Sequence, residues 1–73
     1  IMQISKHNLV QLDFELTDTW NETPETIASI YSFNELEVVF HNKLCVNIEL
    51  NKYQIEGVRS IQGLEKLISL VYG

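Results

Sequence analysis

The sequence predicts an α+β domain in which a small three-stranded sheet carries its helices packed on one face, in the order β-α-β-β-α. Three observations predict it. Apolar and polar side chains alternate with a period of two from Leu9 to Thr17 and again from Leu36 to Leu50. Thr23-Pro24-Glu25 reads as a helix start and is followed by apolar residues three and four apart. Ile61, Leu64, Leu67, Ile68 and Val71 form the stripe of a closing helix.

In the first strand Val10, Leu12, Phe14 and Leu16 alternate with Gln11, Asp13 and Glu15. Asp18 to Thr23 is a polar break that holds Trp20. Thr23 then serves as N-cap, Pro24 as first helical residue and Glu25 as a carboxylate at the positive end of the helix dipole. Ile27, Ile30 and Tyr31 supply the buried stripe of this helix, and Asn34 ends it. Leu36, Val38 and Phe40, then Leu44, Val46, Ile48 and Leu50, are the inward residues of a hairpin. A three-residue loop, His41-Asn42-Lys43, pairs Phe40 with Leu44, Val38 with Val46 and Leu36 with Ile48; a two-residue turn would mismatch the faces. Residues 51–59 read as a polar connector holding Tyr53, Ile55 and Val58. Ser60 caps the closing helix, in which Gly63 costs up to about 1 kcal/mol relative to alanine.

Seventy-three residues make one domain at most, taken as residues 2–73 because Ile1 stands ahead of Met2, the expected natural start. A chain this short buries only about 60% of its unfolded surface. With 45% apolar residues it still has the makings of a packed core, although one that supplies only about 3–5 kcal/mol. A partner or a second copy, giving a homodimer, is therefore expected to complete it. Cys45 is the single cysteine, so no internal disulfide is possible and a reducing, cytoplasmic setting is expected. No apolar run approaches the ~18 residues of a membrane span.

Charge is the most distinctive property. The net charge is −5, and between Lys6 and Lys43 there is no Lys or Arg, while Asp13, Glu15, Asp18, Glu22, Glu25, Glu35 and Glu37 all fall there. Such a chain lacks the cations that displace counterions from phosphates, which argues against direct nucleic-acid binding and for a basic protein partner. In the expected fold Asp13, Glu15, Glu37, His41, Asn47 and Glu49 project from the uncovered sheet face together with Val39 and Cys45. Trp20 is a candidate interface anchor. The residues expected to bind the partner are Asp13, Glu15, Asp18, Trp20, Glu37 and Glu49.

No enzymatic site, metal or cofactor is expected. His7, His41, Cys45 and the carboxylates lack the paired spacings of zinc or calcium ligands, and Gly57, Gly63 and Gly73 form no phosphate-cradling loop. His41 and Cys45 fall on one face near the hairpin tip, yet no orienting third group accompanies them.

A second reading comes from a resemblance. Ser32 to Val71 can be laid without gaps on the second half of an acyl or peptidyl carrier domain, with Tyr31-Ser32-Phe33 on that family's Asp-Ser-Leu and Ser60 to Ile68 similar to its closing helix. The resemblance implies Ser32 as the serine carrying phosphopantetheine and a nearly all-helical fold. The motif's aspartate is Tyr31 here, and Leu9 to Leu16 alternates where the family has its long first helix. The leading expectation is instead a small acidic, non-enzymatic interaction domain of the immunity, antitoxin or inhibitor type. A third class, a small structural subunit of a larger complex, predicts an exposed apolar patch.

Overall fold

The structure is a computed structural model that describes residues 3–73; Met2, the expected start of the domain, lies outside the described residues. A short helix α1 (Lys6–Gln11) leads into five strands: β1 (Glu15–Thr23), β2 (Thr26–Phe33), β3 (Leu36–His41), β4 (Leu44–Leu50) and β5 (Tyr53–Gln54). Helix α2 (Ile61–Tyr72) closes the chain. The strands form one antiparallel sheet in sequence order, each paired with its chain neighbour.

Turn chemistry explains why the chain folds back so often. Each strand pair is joined by two residues: Pro24-Glu25, Asn34-Glu35, Asn42-Lys43 and Asn51-Lys52. Proline's fixed φ suits the first central position of a turn. Asn34, Asn42 and Asn51 have φ of 54°, 55° and 55°, the left-handed region that asparagine tolerates better than other side chains with a Cβ.

One face of the sheet is the core. Leu36, Val38, Phe40 and Ile48 are fully buried there, joined by Leu9 of α1, Leu64 of α2, and Ile4, Phe14 and Cys45. Aromatic contacts run from Phe14 to Phe33 and on to Tyr72, with ring centroids 5.5 Å apart at each step, so the turn after α1, strand β2 and the end of α2 share one cluster. Ser5 caps α1 by accepting the Asn8 N–H at 3.2 Å, and Ser60 caps α2 by accepting the Gly63 N–H at 3.1 Å. The Gln3 N–H donates to the Arg59 carbonyl at 2.7 Å, pinning the start of the described chain beside the α2 cap.

The closing helix and the two arms of the Leu36–Leu50 hairpin form where the sequence places them. The three-stranded sheet in β-α-β-β-α order does not: five strands form, and strand outweighs helix. Leu9 to Gln11 is not a strand but the end of α1, because Ser5 caps a helix from which Leu9 and the C-cap Leu12, three apart, both pack on the core. The helix expected after Pro24 is strand β2; Thr26, Ile27, Ile30, Tyr31 and Phe33 are β-branched or aromatic, and neighbours on both sides are available to pair with them. Trp20 lies in the middle of β1 rather than in a break before a helix. The all-helical fold implied by the carrier resemblance does not form, and Ser32, opposite Glu15 and Glu37, sits within the sheet rather than at a helix start.

The hairpin register also differs. A two-residue turn pairs His41 with Leu44 and Phe40 with Cys45, and a β-bulge at Val46 then restores the faces, so that Val38 meets Ile48 and Leu36 meets Leu50. The extra residue absorbs the mismatch of faces that a two-residue turn otherwise creates. Cys45 consequently faces the core, not the open side.

Candidate functional site

The face opposite the core carries Glu15, Asp18, Glu37 and Glu49. Directly paired residues of neighbouring antiparallel strands share a face, so the register draws rows across the sheet. Glu15, Ser32, Glu37, Glu49 and Gln54 form one row. Asp18, Ile30, Val39 and Asn47 form the next, and Trp20, Ala28, His41 and Leu44 the third. A bulge at Thr17 keeps Glu15 and Asp18 on the same side despite their odd spacing. The Thr17 hydroxyl meets that of Ser32 at 2.8 Å, which places it on this side too.

Of the six residues expected to bind a partner, Glu15, Asp18, Trp20, Glu37 and Glu49 share this face. Asp13 does not: it occupies the turn after α1 with φ of 67°, because the segment before it is helical. Sequence reasoning missed Glu22, whose carboxylate accepts the Trp20 indole N–H and so belongs to the same surface. A carboxylate two positions from a tryptophan in a strand is the signal that could have found it.

Like charges at Glu37 and Glu49 stand directly opposite each other, an arrangement that costs energy unless something offsets it. Lys52 Nζ lies 3.0 Å from Glu37 Oε1, and Asn47 Nδ2 donates to Glu49 Oε2 at 2.7 Å. Lys52 is 80% exposed, so this pair is worth less than about 1 kcal/mol. It is the only ion pair among the described residues, which leaves Glu15, Asp18 and Glu22 on β1 with no cation against them. Every residue of β1 is exposed. Trp20 stands outside the core cluster at 38% exposure, beside the fully buried Ala28.

A groove of about 430 Å³ lies between β4 and the 55–59 segment, with Cys45 and Val46 on one wall and Ile55 and Val58 on the other. Cys45 supplies the one thiol on its walls. Burial pushes the Cys45 thiol up to about 11, only partly offset by a hydrogen bond from the Asn47 backbone, so its thiolate is scarce at neutral pH. His41 pairs with Leu44 on the opposite face, so the two side chains expected together are separated by the sheet. Among the described residues no group of three or more His, Cys, Asp or Glu is placed to hold a metal ion, and no helix is long and apolar enough to cross a membrane. The large exposed apolar side chains, from Val10 to Val71, are spread over six elements. Compared with protein-family models, with curated proteins and with solved structures, the chain matches none.

Proposed function

We propose that this domain is a non-catalytic interaction module whose open sheet face docks a basic protein. The observation that carries the reading is the row Glu15, Glu37 and Glu49 across three of the five strands, extended along β1 by Asp18 and Glu22 around Trp20. Ordinary surfaces intersperse both signs of charge. Here Lys52 alone answers the carboxylates, and β1, β2 and β3 contain no Lys or Arg. Such a field speeds encounter with a positively charged surface and selects against other partners, while the exposed indole of Trp20 supplies apolar contact along the β1 edge of the face. Immunity proteins, antitoxins and small inhibitors are functional types that use a compact acidic domain in this way.

The test pairs the natural protein with a Glu15→Gln, Glu37→Gln, Glu49→Gln variant as baits in native lysate. The expected result is a basic protein retained by the first and lost by the second, whose association with the natural domain slows as salt rises. A partner held equally by both baits, with association unaffected by salt, would remove the proposal.

A further inference from the structure

Strand β1 is the longest strand and lies at the edge of the sheet, where unpaired backbone groups invite another chain to add on. Which groups face outward follows from the ladder. Ile27 turns both backbone groups toward β3, its N–H to Asn42 Oδ1 at 2.9 Å and its carbonyl to the Asn42 N–H at 2.8 Å. Its alternates Ala28 and Ile30 therefore turn toward β1, where their partners are Trp20 and Asp18. Thr19 and Asn21 are left pointing away from the sheet.

Bulges at Thr17 and Glu22 interrupt the strand on either side, so only Asp18 to Asn21 is regular enough to template a new strand. Within that window the Thr19 N–H is already taken: it donates to Asp18 Oδ1 at 2.9 Å. One of the two outward donors is thus masked by the side chain next to it. A twofold antiparallel pairing of two copies here would set Thr19 of each against Asn21 of the other and bring the two Trp20 residues face to face at the centre, the closely spaced pair of such a ladder.

We propose that Asp18 guards this edge through its bond to Thr19, and that removing the acceptor lets two copies of the chain join through β1. Asp18 and Trp20 also belong to the proposed docking face, so the readout is self-association of the purified domain with no basic partner present.

The experiment compares the natural protein, Asp18→Ala and Asp18→Asn by sedimentation over a range of concentrations, with near-ultraviolet circular dichroism as a second readout. Asp18→Ala is expected to rise toward the mass of a dimer of the natural species and to gain an exciton signal from the paired indoles of Trp20, the only tryptophan. Asp18→Asn keeps an acceptor oxygen while losing the charge, and is expected to behave as the natural protein does. Equal association of the two variants would show that charge repulsion, not the bond, protects the edge, and would overturn the proposal. So would an Asp18→Ala variant that fails to associate, or that associates without the tryptophan signal.

Discussion

Tyr72 donates its phenolic hydrogen to Glu35 Oε2 at 2.9 Å, joining the last turn of α2 to the β2–β3 turn across 37 positions of chain. The same ring packs edge-on against Phe33 at 5.5 Å. Two replacements separate these contributions. Tyr72→Phe keeps the ring contact and is expected to cost roughly 0.5–1 kcal/mol in urea unfolding, the worth of one partly exposed hydrogen bond. Tyr72→Ala also removes the ring and is expected to cost about 2–3 kcal/mol. Partial burial, and then Glu35, raise the Tyr72 phenol above its ordinary value of 10.0, so its absorbance titration should lie above that of a free tyrosine and return toward it in Glu35→Gln.

Asn42 serves three purposes at once: it holds φ of 55°, accepts the Ile27 N–H through its side chain and donates its own N–H to the Ile27 carbonyl. Asn42→Gly keeps the backbone conformation and loses only the side-chain bonds. It is expected to cost about 1 kcal/mol, whereas Asn42→Ala loses the same bonds and keeps a Cβ in the left-handed region, which alanine tolerates less well than asparagine, and should cost about 1 kcal/mol more. Equal losses for the two replacements would contradict this account of the turn.

Cys45 predicts an alkaline weakness. Its folded thiol titrates near 11 against an ordinary value of 9.0, so below about 9 both states hold the proton and folding is indifferent to pH. As pH rises from 9 to 11 the unfolded chain gives up its proton while the folded one retains it, and stability falls by about 1 kcal/mol per pH unit. Chemical denaturation of Cys45→Ala should show a flatter profile over that interval than the natural protein. A thiol reagent at neutral pH should label the folded protein slowly and the urea-unfolded protein quickly.

Gly63 is helical without needing to be glycine. A Cβ there would meet Ser60 Oγ at 3.5 Å and a Val58 methyl at 3.6 Å, ordinary contact distances, and the N–H that donates to Ser60 would remain. Gly63→Ala is expected to stabilise the domain by about 0.5–1 kcal/mol in thermal unfolding.

Legibility in the sequence followed the strength of the local signal. Leu36 to Leu50 alternates cleanly with branched and aromatic residues, and Ser60 precedes a full helical stripe, so both are readable. Thr23-Pro24-Glu25 is ambiguous, because proline suits the first residue of a helix and the first central residue of a turn equally well. Ile27, Ile30 and Tyr31 fit helical spacing, and what decides for a strand is a pair of neighbouring strands that a local reading does not supply. A repeating signal was present: Asn34, Asn42 and Asn51 each follow an alternating segment, eight and nine residues apart, which is the cadence of a meander. The acidic face was legible because period two held through Glu37 and Glu49 whatever the strand count. Cys45 was misplaced because no residue type announces the bulge at Val46, and one extra residue reverses what lies beyond it.

That every strand pairs only with its neighbours in the chain bears on how the molecule forms. Within the sheet no strand must wait for a distant one, so those loops are short and their entropic cost is low; long loops close when the Gln3 end docks at Arg59 and the end of α2 docks at Glu35. Assembly can proceed as a zipper, each hairpin offering a ready edge to the next. For an all-antiparallel sheet of this size that places its refolding toward the fast end of β-rich proteins.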